Sequence, residues 1–219
     1  MANKDYVSAT EAWHTKTLGE TACVALRKNG FDAKYVESGE NALALIEAMI
    51  KPGMTVATGG SMTLHAIGVH ERATALGAKL LNHAAKDLSP EQKLEIMRAQ
   101  LTSDLFLSSS NAVTLDGELF NIDGNGNRVA ALTFGPKKTV VVAGVNKIVR
   151  NLDEARARCE ISASPMNNKR LGTANPCAKT GVCMDCKGDG RICKVYSIFR
   201  QKPRGSDFTV IIVGENLGY

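Results

Sequence analysis

The chain lacks a long apolar stretch. No run of hydrophobic residues approaches the roughly 20 that a helix needs to cross a bilayer, so we expect no membrane insertion. The first residues, MANKDYVSATEAWH, contain Asp5 and no apolar core of a signal peptide. Disulfides need an oxidising compartment. We therefore expect a cytoplasmic protein whose thiols are reduced.

Aromatic residues are also scarce, at 5 % with one Trp, and the net charge is only +5 over 219 residues. Surfaces that bind nucleic acid combine strong positive charge with stacking side chains, so we do not expect a nucleic-acid partner.

The few histidines lack the H-E-x-x-H spacing of a zinc protease. The stretch DGNGN resembles the start of a calcium loop, but position twelve counted from Asp123 is Phe134 rather than Glu, which excludes an EF-hand.

The chain does show regular alternation of extended and helical segments. Strands are predicted at DAKYVES, MTVAT, AKLLN, KTVVVAG and DFTVIIVGE, and residues 104–122 are predicted to form a β-hairpin. Helices are predicted at residues 8–29, NALALIEAMI, PEQKLEIMRAQL and NLDEARARCEISA. Strands joined by helical crossovers imply an α/β fold with a mostly parallel sheet covered by helices. We expect one such domain over residues 1–219.

Four of the six cysteines lie in one short segment, PCAKTGVCMDCKGDGRIC. The spacing is C-x5-C-x2-C-x6-C, and the nearby glycines and prolines allow the backbone to turn the sulfurs toward one point. We predict a metal loop over residues 175–195 that holds a [4Fe–4S] cluster or, alternatively, zinc. The single C-x2-C pair favours iron–sulfur, because zinc ribbons have two such pairs. The predicted ligands are Cys177, Cys183, Cys186 and Cys193.

Basic residues surround this segment. Between residues 169 and 204 the chain has nine Lys and Arg against only Asp185 and Asp189. Cations lower thiolate pKa values and offset the negative charge of a four-thiolate site. Disulfides or unlinked, redox-active thiols are the alternatives to a metal.

Ligands of open parallel sheets bind outside the carboxyl ends of the strands. MTVAT is followed by Gly59, Gly60 and Ser61, whose backbone freedom and helix-capping hydroxyl are typical of an anion cradle. An ordinary strand-to-helix turn explains the same three residues. KTVVVAG is followed by Lys147, which either holds an anionic substrate or faces water at a helix start.

The stretch SSSNAVTLDGELFNIDGNGN is rich in polar residues and glycine. Its DG dipeptide is typical of a hairpin turn. Glu118, just after that turn, is a candidate nucleophile or general base, although an exposed turn carboxylate is the alternative interpretation. The candidate ligand-binding residues here are Asn111, Asp123 and Asn125.

The segments TGGSMTL, SSNAVTLDGELFNIDGNGNRVAA, TVVVAGVNKIV, SPMNNKRL, PCAKTGVCMDCKGDGRIC and VIIVGENLG, in this order, extend from about residue 54 to the last residues. Together they resemble the lactate-utilisation (LUD) domain family, in particular its short, cysteine-containing members. The resemblance implies a fold like those of ribose-5-phosphate isomerase and CoA-transferases. It also implies an anion site at Gly59–Ser61 and a catalytic carboxylate near the crevice, for which Glu118 is the nearest candidate.

Members of this family are associated with lactate oxidation in complexes with iron–sulfur partner proteins. Longer relatives carry ferredoxin-like C-x2-C-x2-C-x3-C-P runs, and this chain has none. Its single four-cysteine loop can hold one cluster only. The resemblance therefore implies a small anionic metabolite as ligand, an iron–sulfur or electron-transfer protein as partner, and leaves a homo-oligomer open.

Two classes of function follow. The first is a subunit of a lactate-oxidising or related oxidoreductase, with one [4Fe–4S] cluster for electron transfer. The second is a non-redox isomerase or transferase that uses Glu118 and Lys147, or a metabolite-binding subunit, with zinc as a structural staple.

Overall fold

The computed structural model describes the backbone of residues 4–219 and the side chains from residue 8 onward. The α-helices are Lys4–Lys28 (α1), Gly39–Glu47 (α2), Met62–Ala66 (α3), Val69–Ala75 (α4), Pro90–Ala99 (α5), Asn127–Thr133 (α6), Leu152–Arg158 (α7), Ser164–Arg170 (α8) and Cys177–Thr180 (α9). The strands are Asp32–Val36 (β1), Thr55–Thr58 (β2), Lys79–Leu81 (β3), Leu105–Ser108 (β4), Ala112–Thr114 (β5), Leu119–Asp123 (β6), Lys138–Gly144 (β7), Ile148–Val149 (β8), Val195–Phe199 (β9) and Asp207–Val213 (β10).

The larger sheet has six strands in the order β1-β10-β7-β4-β2-β3, and every neighbouring pair is parallel. Its central strands are apolar on both faces, because helices cover both. On β7, Val141 and Ala143 pack with Leu26 of α1, whereas Val140 and Val142 pack in a second core with residues of α2, α3 and α4. The predicted α/β fold with a mostly parallel, helix-covered sheet is confirmed.

A smaller sheet has four strands in the order β8-β5-β6-β9. It corrects the predicted hairpin over residues 104–122. Leu105–Ser108 is buried on both faces and pairs in parallel with β2 and β7 of the larger sheet, so it is no part of a hairpin. Only β5 and β6 form the antiparallel pair around the DG turn. The sequence prediction also missed β9, which pairs with β6 along the edge of this sheet.

The predicted helix at NLDEARARCEISA begins at Leu152, after the Asn151 side chain caps the amide of Glu154. It continues through a π-helical turn, Cys159–Ala163, into α8. Single π-helical turns within α-helices are frequent at functional sites. Here the turn lies next to the cysteine segment, since the amide of Cys183 donates to the carbonyl of Glu160 at 2.8 Å.

None of the helices within residues 4–219 is both long enough and apolar enough to cross a bilayer.

The hairpin turn supports α1 directly through Gly117. This residue has φ +79°, and a methyl group added to it would lie 2.4 Å from the carbonyl carbon of Ala25. Asn29 also donates from its side-chain amide to the carbonyl of Gly117 at 2.9 Å. The turn therefore needs glycine for its backbone angle and for the close approach of α1.

Gly117→Ala is expected to destabilise the protein by several kcal/mol, since left-handed backbone costs about 1–2 kcal/mol for a side chain and overpacking adds about 1–3 kcal/mol. Gly53→Ala is the matched control, because Gly53 has φ +81° but open space around it. Thermal denaturation of both variants separates the two contributions. Equal losses of stability would contradict the close packing of the turn against α1.

Candidate functional site

The carboxyl ends of the larger sheet bring three loops together. Strands β2, β4 and β7 are neighbours and parallel, so the residues that follow them meet at one edge. These are Gly59–Ser61 after β2, Ser109–Asn111 after β4, and the 3-10 turn Val145–Lys147 after β7. We call this place the crevice.

Lys147 lies at the base of the crevice and is 4 % exposed. Its Nζ contacts the hydroxyl oxygens of Thr63 and Ser109, each at 2.9 Å. The Thr63 hydroxyl in turn donates to the carbonyl of Leu217 at 3.1 Å. Burial, followed by the charges of Arg158 and Arg128, lowers the pKa of Lys147 to about 7. The sequence left open whether this lysine faces an anionic substrate or water, and the structure places it inside the crevice.

Arg128 of α6 was not predicted, and it is the most extensively bonded side chain of the crevice. Its Nη1 donates to the Ser109 carbonyl at 3.1 Å and to Asn121 Oδ1 at 2.6 Å. Its Nη2 donates to Asn111 Oδ1 at 3.1 Å and to the Ile122 carbonyl at 2.7 Å. These bonds tie α6 to β4, β5 and β6, and burial lowers the pKa of Arg128.

Arg158, the last residue of α7, is a further cation that the prediction missed. It donates from Nε to the Asn146 carbonyl at 3.0 Å and from Nη1 to the Asn111 carbonyl at 2.6 Å. Burial lowers the pKa of Arg158. Its remaining guanidinium hydrogens meet no protein acceptor in the described part of the chain.

The positive charges of the crevice exceed the negative charges. Asp123 lies 3.6 Å from Nε of Arg128. Within residues 8–219, no carboxylate lies in ion-pair distance of Lys147 or Arg158. Buried cations are normally paired, because an uncompensated buried charge is costly. The excess of cations makes the crevice suited to an anion.

Asn121 contributes an unpaired donor. The residue is fully buried and its Oδ1 accepts from Arg128, which fixes the orientation of the amide. The Nδ2 of Asn121 has no hydrogen-bond partner among the described residues. An unsatisfied buried donor costs about 1–3 kcal/mol, so this amide group is available to an acceptor atom in the crevice.

Gly59 and Gly60 line the side of the crevice that lies against Arg128 and His83. A methyl group on Gly59 would lie 2.9 Å from Cγ of Arg128 and 3.0 Å from Oγ of Ser108, so a side chain there would displace the arginine. Gly60 has φ +69°. The hydroxyl of Ser61 accepts from the amide of Leu64 and caps α3. The amide of Gly59 donates to the Leu107 carbonyl at 3.0 Å. The predicted anion cradle therefore has the backbone amides of Gly60 and Ser61 and the hydroxyl hydrogen of Ser61 to offer.

His83 faces this turn and was not predicted as part of it. A methyl group on Gly60 would lie 3.6 Å from His83 Nε2. The buried Gln100 donates from Nε2 to the carbonyls of Thr58 and Leu81, and it also lies 3.0 Å from His83 Nδ1. The two carbonyls take the two hydrogens of Gln100 Nε2, and this amide holds the His83 ring beside the turn. Burial lowers the pKa of His83.

The predicted hairpin residues have different roles. Asp123 caps α6, since its carboxylate accepts from the amides of Asn125, Gly126 and Val129. Asn111 holds Arg128 and accepts from the Ile122 amide at 2.9 Å. Asn125 is exposed. Structural contacts thus occupy the carboxylate of Asp123 and the Oδ1 of Asn111.

Glu118 lies at the turn end of the hairpin, whereas Asn111 lies at the crevice end. The Glu118 carboxylate is buried and accepts from Arg200 Nε at 3.1 Å. Its other contact is the Thr114 hydroxyl at 3.4 Å. Glu118 and Lys147 share no contact, and the catalytic role of Glu118 stays a prediction.

The four predicted metal ligands lie around one small cavity. Cys177, Cys183, Cys186 and Cys193 all line it, together with Ser164 and Asn168 of α8. The pKa of Cys177 is raised, first by burial and then by the charges of the other three cysteines, which shows that the four thiols are close enough to interact. Within residues 8–219, no three Cys, His, Asp or Glu side chains stand close enough together to hold a single metal ion.

Hydrogen bonds fix the shape of the cysteine segment. Arg191 donates to the carbonyls of Cys193 and Cys186 and pairs with Asp185 at 2.7 Å. The amide of Asp185 lies 3.4 Å from the sulfur of Cys183, an N–H···S contact that suits a thiolate ligand. Four cysteines around one cavity supply the ligand chemistry of an iron–sulfur cluster or zinc, and the sulfurs would have to draw closer together to bind either.

The fold and site define an α/β protein with a cationic crevice at the carboxyl edge of a parallel sheet and a separate four-cysteine cavity. The LUD domain pattern matches residues 20–213, and the chain belongs to this family. The predicted family is thereby confirmed.

The chain is similar in structure to a DUF162 family protein from Deinococcus radiodurans, solved at 1.70 Å. The TM-score is 0.52 at 13 % identity, over 91 % of this chain and 98 % of that one. It also matches eIF2B beta from Chaetomium thermophilum with a TM-score of 0.38 at 14 % identity, over 53 % of this chain and 44 % of that one. The first likeness supports the fold. No protein of curated function matches the sequence.

Arg128→Met is expected to lower the free energy of unfolding by about 3–5 kcal/mol, because it leaves buried acceptors on Asn121, Asn111 and the backbone unpaired. Arg98→Met is the matched control, since Arg98 is an exposed helical arginine that forms an ion pair with the exposed Glu95. Denaturant unfolding of the two variants measures the difference. Similar stabilities would show that Arg128 does not anchor the crevice.

Proposed function

We propose that this LUD domain protein takes part in the metabolism of lactate or a related organic acid, that it is cytoplasmic, and that it binds a small anionic metabolite in the crevice. We further propose that Cys177, Cys183, Cys186 and Cys193 hold one [4Fe–4S] cluster. Membership of the LUD domain family supports the organic acid. The geometry of the crevice supports the anion.

The observation that carries the anion is the buried Lys147, which has no carboxylate partner among residues 8–219. Its contacts are hydroxyl groups, and its charged neighbours are Arg158 and Arg128. An anion in the crevice would supply the missing negative charge and would raise the pKa of Lys147 toward its ordinary value. Binding of a carboxylate would therefore offset the free-energy cost of burying Lys147 next to other cations.

Four kinds of donor are available to such an anion. As an ammonium group, Lys147 has three hydrogens and uses two on Thr63 and Ser109. Arg158 has guanidinium hydrogens left over, and Asn121 has its unpaired amide. The backbone amides of Gly60 and Ser61 meet no protein acceptor in the described part of the chain. This set suits a carboxylate with one further polar group.

The cysteine cavity supports a metal because all four sulfurs line it and hydrogen bonds hold its backbone. A cluster bound there would supply one-electron transfer, since four cysteine ligands leave no open position on iron for a substrate. Zinc, which would act as a structural staple, is the alternative.

A protein that transfers electrons needs a partner, and the basic residues around the cavity suit an electron-transfer protein with an acidic surface. A homo-oligomer is compatible with the same proposal. The other candidate function, an isomerase or transferase that uses Glu118 with Lys147, has no contact between these two side chains in its favour.

Lactate is expected to bind about tenfold more tightly near pH 6 than near pH 8.5, because one charge-assisted hydrogen bond is worth about 1.5–3 kcal/mol. The sign follows from Lys147: its pKa of about 7 makes it an ammonium group below pH 7 and a neutral amine above. Burial also lowers the pKa of the nearby His83 from its ordinary value. Isothermal titration calorimetry at the two pH values measures the effect.

In Lys147→Met the affinity should be weak and independent of pH over the same range. Lys79→Met is the control, because Lys79 is an exposed lysine on edge strand β3. A wild-type affinity that does not change with pH, or an unaffected Lys147→Met variant, would contradict anion binding at Lys147.

Protein purified without oxygen is expected to be brown and to contain iron and sulfide in equal amounts. Cys186→Ser should lose the colour and the metal, because it removes one of the four ligands, whereas Cys23→Ser should keep both, since Cys23 is buried in α1. Elemental analysis and a visible spectrum read the result. A colourless protein with bound zinc would reject the redox function and leave zinc as the staple.

A further inference from the structure

The amine of Lys147 is held in a way that suits chemistry as well as binding. Its Nζ lies at 2.9 Å from both the Thr63 and Ser109 hydroxyls, which fixes its position from two sides. These two hydroxyls lie 3.4 Å apart. A purely structural lysine at this depth would be expected to have a carboxylate partner, and none lies within ion-pair distance in the described part of the chain.

The surroundings favour the neutral amine over the ammonium group. Desolvation disfavours the charged form, and two guanidinium groups nearby disfavour it further. A lysine that is desolvated and placed next to other cations is an activated nucleophile, able to attack a carbonyl carbon near neutral pH. A neutral amine keeps two hydrogens for the hydroxyl oxygens of Thr63 and Ser109, which leaves its lone pair free, and an ammonium group makes the same two bonds. Both states therefore remain hydrogen-bonded.

The crevice also offers recognition of a carboxylate beside this amine. Arg158 donates to the carbonyl of Asn146, the residue that precedes Lys147, so its guanidinium is anchored next to the lysine's own turn. The hydrogens that Arg158 has left over can bind one carboxylate. An acid with a carbonyl group on the adjacent carbon would then present an electrophilic carbon close to the carboxylate.

We propose that Lys147 is a nucleophile that forms an imine with the 2-carbon of a small 2-oxo acid whose carboxylate is held by the cations of the crevice. This inference rests on the proposed anion site, and it names the class of acid and the bond that forms there.

The reaction balances without an oxidant or reductant. The lone pair of Nζ attacks the carbonyl carbon to give a carbinolamine, with one proton moving from nitrogen to oxygen. The carbinolamine then loses its hydroxyl group and the second nitrogen proton as water, and the C=N bond forms. The hydroxyl of Ser109 is placed to relay these protons, because it lies 2.9 Å from Nζ, whereas the Thr63 hydroxyl donates its hydrogen to the Leu217 carbonyl.

The test is reductive trapping in the full-length protein. We would incubate the protein with pyruvate and sodium cyanoborohydride and measure the intact mass and the labelled peptide. The expected result is one stable adduct per chain, on Lys147, that requires both reagents. Lys147→Arg should lose the adduct and Lys79→Arg should keep it. Label spread over exposed lysines, with none at Lys147, would overturn the proposal.

The pH dependence of labelling separates this nucleophile from surface lysines. Labelling of Lys147 should reach half its maximum near pH 7, where the pKa of this residue lies. Labelling of exposed lysines should still be rising at about pH 10, near their ordinary pKa. A rate at Lys147 that follows the surface lysines would overturn the proposal, and this comparison needs no variant to fold.

Calorimetry with lactate, which has no carbonyl group at the 2-carbon, distinguishes the two levels of failure. If lactate and pyruvate bind at the crevice but no adduct forms at Lys147, the nucleophile is rejected and the anion site stands. If neither acid binds, both the nucleophile and the proposed anion site are rejected.

Discussion

The crevice depends on the burial of cationic side chains that have too few carboxylates to pair with. Lys147, Arg128 and Arg158 gather at the carboxyl edge of the sheet, and among the side chains of residues 8–219 only the Asp123 carboxylate lies at ion-pair distance, from Arg128. Burying a charge without a partner costs several kcal/mol, so a fold that keeps this arrangement must stabilise it elsewhere. The parallel sheet does so, because β4, β7 and β10 bury continuous apolar runs on both faces. A charge imbalance that the core has to offset is typical of a functional site.

The anchoring of Arg128 shows how the two sheets cooperate. Asp123 caps α6 and thereby sets the first turn of that helix, in which Arg128 lies. Arg128 then donates to β6 through Asn121 and to the loop after β4 through the Ser109 carbonyl. Position 59 requires glycine, because the aliphatic part of the Arg128 side chain occupies the space that a Cβ atom would need. The position of Lys147 next to Ser109 therefore depends on contacts from both sheets.

The crevice and the cysteine cavity share a helix. Arg158 ends α7 and faces the crevice, and the π-helical turn that follows accepts the Cys183 amide. Ser164, just beyond that turn, lines the cysteine cavity. A change in the cysteine segment can thus reach Arg158 through one continuous stretch of helix, which gives the two sites a direct structural connection.

The sequence predicted the features that local pattern determines. Continuous apolar runs identified β7 and β10, the position of Lys147 at a strand end indicated the crevice, and spacing alone singled out the four cysteines. Tertiary contacts decided the rest. Leu105–Ser108 was assigned to a hairpin because a four-residue apolar strand carries no sign of its partners. Only the fold shows that Asp123, a predicted ligand residue, also caps α6.

Arg128 was missed because an arginine in a short helix resembles a surface residue until the fold buries it. The one indirect signal was Gly59, because a side chain at this position would clash with Arg128. Arg158 was missed for the same reason, since it ends a helix whose other charged residues are exposed.

The central claim is that the crevice holds the carboxylate of a small organic acid beside Lys147. A crystal structure of the protein grown with lactate at neutral pH tests it most directly. The account predicts a carboxylate within hydrogen-bond distance of Lys147 Nζ and of the free side of the Arg158 guanidinium. A crevice without the acid, or the acid bound only at another place, would contradict it.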